Sequence, residues 1–132
     1  MEEPQTKDKA KSRIEKFEDL RVWQEAQNWA VEIYKITRSF PDDEKFGLTS
    51  QLRRAASSVS ANIAEGFGRR TNKDKLQFYV IAYGSALEAK NFLYLSNKLN
   101  YIDETSLTRH IDRGTAVQRL LNAFMGPLKS DV

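Results

Sequence analysis

Three short stretches hold side chains whose types and spacing could bind or react: Gly66-Phe67-Gly68-Arg69-Arg70, the serines Ser57, Ser58 and Ser60, and the lone histidine His110. Gly66-x-Gly68 is a fragment of a glycine-rich phosphate loop. Such a loop needs a strand before it and a third glycine, and neither is present. The glycines read better as a helix stop, with Gly66 or Gly68 taking a left-handed conformation at little steric cost. A serine nucleophile needs an activating base within reach. His110 lies in a different predicted helix, and nothing in the sequence sets it beside the serines, so a surface or hydrogen-bonded histidine is expected. A carboxylate metal site in a helical bundle would use Glu-x-x-His motifs, which this chain lacks. The expectation is a protein with no catalytic residue, no metal and no cofactor.

Polar binding chemistry has more to work with. Arg53, Arg54, Arg69, Arg70, Lys73 and Lys75 fall within residues 45–75, which hold seven basic and two acidic side chains; residues 17–44 hold three basic and seven acidic. By helical angle Arg54 points away from the apolar stripe of its helix and Arg53 flanks that stripe, while the other four cluster around a turn. A solvated face, or one that offsets the acidic first helix, is one reading. The other is a surface for backbone phosphates, binding without base-specific contacts and weakening with salt. Asn62 and Glu65 lie near the end of the same helix. Glu65 can pair with Arg69 one turn on, and Asn62 can bridge backbone groups in the bundle or at a subunit contact.

The elements that must position these residues are helical. The 132 residues fit one domain, and net charge +3 permits nucleic-acid contact without demanding it. There is no cysteine, no apolar run near the roughly 18 residues of a membrane span, and a polar N-terminus, all of which fit a cytoplasmic protein. Residues 1–16 carry five basic and four acidic side chains and read as a flexible arm before a single domain over 17–132. A first helix runs from an Asp19 cap to about Ser39, with Val22, Ala26, Trp29, Ile33, Tyr34 and Ile36 on one face, and stops at Phe40-Pro41. A second, near 48–67, turns Leu48, Leu52, Ala55, Ala56, Val59 and Ile63 inward. Its small alanines suit a tight crossing, against Trp23 or Trp29, that Ala55→Leu would disrupt.

A third helix, from Asn72 or Lys73 to about Asn100, carries two apolar stripes: Leu76, Val80, Tyr83, Leu87 and Tyr94, and more than 90° around, Phe78, Ala82, Ala86, Ala89 and Leu93. A helix apolar on two sides needs two partners, so one stripe is available to a second subunit. Asn62, Glu65, Gly66, Phe78, Ala82 and Leu93 are grouped as residues of structural or subunit contact. A fourth helix follows from Asp103 or Glu104 to Leu128, interrupted by Gly114, for which close packing is the explanation. Short connections favour an all-α, antiparallel up-down-up-down four-helix bundle.

The stretches Leu20-Arg-Val-Trp-Gln-Glu-Ala26, Phe40 to Ala56, Ala61-Asn-Ile-Ala-Glu-Gly-Phe-Gly-Arg69 and Gly84-Ser-Ala-Leu-Glu88 together resemble the family of 23S rRNA intervening-sequence proteins, over about residues 17–125. The resemblance implies a bacterial four-helix bundle that assembles as a homopentameric ring. The same fold is similar to the accessory proteins of diversity-generating retroelements, which implies RNA or DNA, and a reverse transcriptase or another nucleic-acid protein, as partners. The family commonly has proline just before Ala61-Asn62, where this chain has Ser60. With a serine there, the helix keeps a backbone donor and runs straighter. Two functions fit the sequence: a non-enzymatic oligomeric scaffold that binds nucleic acid through its basic surface, and an interaction module for proteins with no nucleic-acid role.

Overall fold

The computed structural model of the chain describes residues 13–130, so most of the expected arm, residues 1–12, lies outside the described residues. Four helices follow in order: α1 (Arg21–Thr37), α2 (Leu48–Phe67), α3 (Asn72–Lys98) and α4 (Glu104–Lys129). Short 3-10 turns at Phe17–Asp19 and Asp42–Glu44 precede α1 and α2.

Cross-helix contacts fix the topology. Thr37 and Gln27 of α1 meet Arg53 and Ser60 of α2, in reversed order along the two helices. Ser85 and Tyr79 of α3 meet Ser58 and Gly66 of α2, again reversed. Lys90 and Tyr79 reach Thr115 and Phe124 of α4, and Trp29 of α1 lies on Gly114 of α4. Each helix is therefore antiparallel to its sequence neighbour, α4 closes against α1, and α1 sits diagonally from α3. This is the up-down-up-down four-helix bundle expected from the pattern.

The core is built from Val22, Ala26, Trp29 and Ile33 of α1, Leu52, Ala56, Val59 and Ile63 of α2, Ala82, Ala86, Ala89 and Leu93 of α3, and Val117 and Leu121 of α4. Small α3 residues let the helices approach closely. Two glycines carry that approach to its limit. A Cβ on Gly114 would lie 2.6 Å from Trp29 Cζ2, and one on Gly66 would lie 2.6 Å from Tyr79 Cε1. Close packing does explain Gly114.

Two local expectations change. Gly66 is not a left-handed stop: no glycine among the described residues has positive φ, and Gly68 closes α2 at φ −79°. The left-handed residue is Asn100, at φ 65°, where the Tyr101 amide returns to the Ser96 carbonyl to finish α3. Asp19 does not cap α1. Its carboxylate accepts the amides of Glu15 and Lys16 and so holds the preceding turn, while Leu20 takes the cap position without a side-chain bond. Trp23 meets the Phe17 ring edge-on, 5.2 Å between centroids, and Trp29 is fully buried in the same core as Ala55 and Ala56.

Side-chain caps mark the later helices. Thr71 accepts the Asp74 amide at the start of α3 and Asp103 accepts the Ser106 amide at the start of α4. No helix among the described residues is long and apolar enough to cross a membrane.

Candidate functional site

The six basic residues form two groups along α2, Arg53 and Arg54 in its first half and the other four just beyond its end, roughly 20 Å away at 1.5 Å per residue. At the N-terminal end Arg53 is consumed by structure. Its Nε donates to Thr37 Oγ1 at 2.8 Å, its Nη2 to the Tyr34 carbonyl at 3.3 Å, and its guanidinium lies 4.7 Å from the Tyr34 ring centroid. These bonds satisfy carbonyl and hydroxyl oxygens at the C-terminus of α1, where a cation is favourable. Arg54, one residue on, is exposed, and with Gln51, Ser58 and Glu88 it lines a small polar depression between α2 and α3.

At the other end Arg69 pairs with Glu65 at 2.9 Å and stacks over Phe78 at 4.5 Å, as the i,i+4 spacing suggests. Lys75 donates to the Phe67 carbonyl at 2.6 Å and lies over the Phe67 ring, sealing the end of α2. Arg70 and Lys73 are exposed and have no partner among the described residues. Three of the six cations, Arg54, Arg70 and Lys73, are thus free to meet a ligand. Two of them share the α2–α3 turn with the positive end of the 27-residue α3 dipole, against the local charge of Asp74.

Asn62 works inside the bundle. Its Nδ2 donates to the Ser58 carbonyl and to Ser58 Oγ, at 2.8 and 2.9 Å, and Ser58 Oγ in turn sits 2.9 Å from Ser85 Oγ on α3. Ser60 donates to Gln27 Oε1 at 2.8 Å, tying α2 to α1, and α2 runs unbroken through that position. Ser58 and Ser60 are committed to these links, and the exposed Ser57 donates to the Arg54 carbonyl. His110 is elsewhere, fully buried where α4 meets α1, and among the described residues neither ring nitrogen has a hydrogen-bond partner; nor has Trp29 Nε1. Burial holds its pKa below the ordinary value, Arg109 and Arg113 add to that, and Glu32 opposes it. His110 makes no hydrogen bond to a serine, and no cluster of metal-ligating residues occurs, among the described residues.

Ala82 and Leu93 are fully buried within the single chain and Phe78 is half-buried under Arg69, so this stripe of α3 is the one used by the bundle itself. Of the other stripe, Leu76 and Tyr83 pack against the edge of the core, while Val80, Leu87 and Tyr94 point away from it. Val80 is 58% exposed, Leu87 51% and Tyr94 50%, and Ile81, Leu95 and Leu99 widen the patch. Gly84 lies at its centre with nothing within 4 Å of where a Cβ would stand. The sequence reading missed Ile81, Gly84 and Leu95. Their helical angles flank Val80 and Leu87, which was the available signal. Gln27, Thr37 and Lys90 were also missed, and their partners lie too far along the chain for any spacing rule to reveal.

No curated protein matches the chain. Among solved structures it is similar to a protein of unknown function from the S23 ribosomal protein family of Bacteroides thetaiotaomicron VPI-5482, with a TM-score of 0.71 and 24% identity over 79% of this chain and 97% of that one. At that identity the likeness carries the fold alone. The family model for the 23S rRNA-intervening sequence protein matches residues 18–123, spanning three helices, most of the fourth and both groups of cations, and the chain belongs to that family.

Proposed function

We propose that the protein is a non-enzymatic, self-associating scaffold of the bacterial cytoplasm that holds RNA by its backbone phosphates at the α2–α3 end. The observation that carries this reading is the pair Arg70 and Lys73, exposed and unpartnered beside Arg69 at the start of α3. Two cations and a helix N-terminus make a phosphate contact too small for useful affinity alone. Repetition of that contact around an assembly, the homopentameric ring that the family resemblance implies, raises avidity without adding new chemistry. The family's description, tied to an intervening sequence of 23S rRNA, favours RNA as the polyanion. No exposed aromatic lies within this cluster to stack bases, so the reading is of backbone and not of sequence.

Binding to a structured RNA measured across a salt series tests it. The expected result is a log–log dependence that becomes shallower by about one unit for each phosphate contact removed, so Arg70→Ala/Lys73→Ala should flatten it by about two per engaged chain. No binding at low salt removes the proposal. Unchanged binding by the double variant does the same for this surface.

The second reading, an interaction module for proteins only, is favoured by the exposed apolar face of α3. Binding of protein partners that is insensitive to salt, with none to RNA, distinguishes it.

A further inference from the structure

We infer that the seam between α1 and α4 is an acid-sensitive gate: protonation of His110 parts these two helices while the other three seams of the bundle stay joined. This rests neither on self-association nor on RNA binding.

The four seams are not joined alike. Arg53 to Thr37 and Ser60 to Gln27 tie α2 to α1, and Ser58 with Ser85 ties α2 to α3. Lys90 of α3 donates to Thr115 Oγ1 and Gln118 Oε1 of α4, at 2.8 Å each. Between α1 and α4 no hydrogen bond or ion pair occurs among the described residues. Packing alone closes that seam, with the Trp29 ring against Gly114.

The polar atoms that this seam does hold are unpaired. His110 is fully buried one turn before Gly114, on the same side of α4, and Trp29 is fully buried as well. Both His110 ring nitrogens and Trp29 Nε1 lack a hydrogen-bond partner, and no other buried side-chain nitrogen or oxygen among the described residues is left so. Buried polar groups are nearly always paired, so a concentration of exceptions in one seam marks it as the weak one.

A neutral imidazole is tolerated among apolar groups at moderate cost, but an imidazolium carries a full charge and two donors. The closed seam offers it no acceptor. Arg109 and Arg113 on its own helix oppose the charge, and Glu32 of α1, already shared with Lys35 at 3.4 Å, is the acid that favours it. From α3, Lys90 reaches over Gly114 and brings another cation; α2 lies diagonally across the bundle. Water is the remaining partner, and separating α1 from α4 is the way to admit it. The ring takes a proton less readily when buried than when open, so the open population grows as pH falls. The bonds across the other seams use hydroxyls, amides, an arginine and a lysine, none of which titrates in that range. They hold while this seam gives.

The single histidine and the buried Trp29 indole make the test direct. On the full chain without nucleic acid, NMR follows the His110 ring and the solvent exchange of Trp29 Nε1–H from about pH 7.5 to about pH 5, with Trp23→Phe to assign the indole signal. Corrected for the intrinsic rate, protection of the Trp29 indole should fall by up to about tenfold per pH unit below about 6.5. Helicity by circular dichroism should stay constant, and low urea should accelerate this exchange little, since parting one seam exposes little surface. His110→Leu should abolish the fall, and His110→Gln, which is polar but does not titrate, supplies the same control should the leucine disturb the fold. Constant protection across this range, a fall that persists in the His110 variants, or a steep urea dependence, which marks global unfolding, overturns the inference.

Discussion

The two faces of α3 have similar apolar character and opposite fates. One, with Ala82, Ala86, Ala89 and Leu93, is wholly buried among its neighbours; the other, with Val80, Leu87 and Tyr94, is half open to solvent. The inner face is made mostly of small residues and the outer of large ones. Small side chains let helices of one bundle come close, whereas large side chains on the outside provide area for something separate. Hydrophobicity alone does not distinguish the buried face from the open one here; side-chain size does.

Substitutions can break that contrast. Leu93→Ala should destabilise the bundle by about 2–5 kcal/mol, measured by denaturant unfolding, because it leaves a cavity in a fully buried site. Leu87→Ala, in the same assay at concentrations where the chain is monomeric, should change stability little. Equal losses would mean that the outer face is part of the fold. Next in size, Gly66→Ala and Gly114→Ala should each cost about 1–3 kcal/mol, since the new methyl meets an aromatic ring at 2.6 Å that must shift.

Acid should act on the inner packing through His110. The folded-state pKa of His110 lies below its unfolded value, so the unfolded chain binds the proton more readily. Its contribution is constant above the unfolded value of about 6.5 and stability falls as pH drops through it, by at most about 1.4 kcal/mol per pH unit for one proton. His110→Leu should flatten that limb between about pH 6.5 and 5, read from unfolding midpoints in urea. The smallest effect is the most discriminating. Gly84→Ala should stabilise an isolated bundle by about 1 kcal/mol or less, through helix propensity, because its methyl meets nothing. Destabilisation of the monomer would contradict the open outer face.

Much of the fold was legible because amphipathic periodicity is a local property. The four helices, their order, and boundaries within a residue or two of Phe67, Asn72 and Glu104 all follow from spacing and caps. The start of α1 did not, since Asp19 had two sets of amides to choose from and took the upstream one. Which stripe of α3 faces inward was also hidden, because both repeat with the helical period. The role of Gly66 was readable in principle: it falls in line with Val59 and Ile63 on the buried side of α2, a position for a contact and not for a stop. For the candidate site, the turn between α2 and α3 was legible as basic. What the sequence reading missed is that Arg53 and Lys75 are committed to carbonyl oxygens, a matter of tertiary approach that leaves Arg54, Arg70 and Lys73 as the available charges.

The loop at the opposite end of the molecule has its own consequence. Glu44 accepts the Leu48 amide at 3.0 Å and the Tyr101 hydroxyl at 2.9 Å, bonds that hold its carboxyl below its ordinary pKa, and Tyr101 lies against Phe40. One carboxylate thereby ties the α1–α2 connection to the α3–α4 connection. The Leu48 amide should exchange its hydrogen slowly, and a protease should cut first at the far end, around Gly68–Arg70, where the bonds of Arg69 and Lys75 stay within one turn and tie no second connection to it. The bundle would then open like a hinged clip, fastened at the Glu44 end and yielding at the end that carries the free cations.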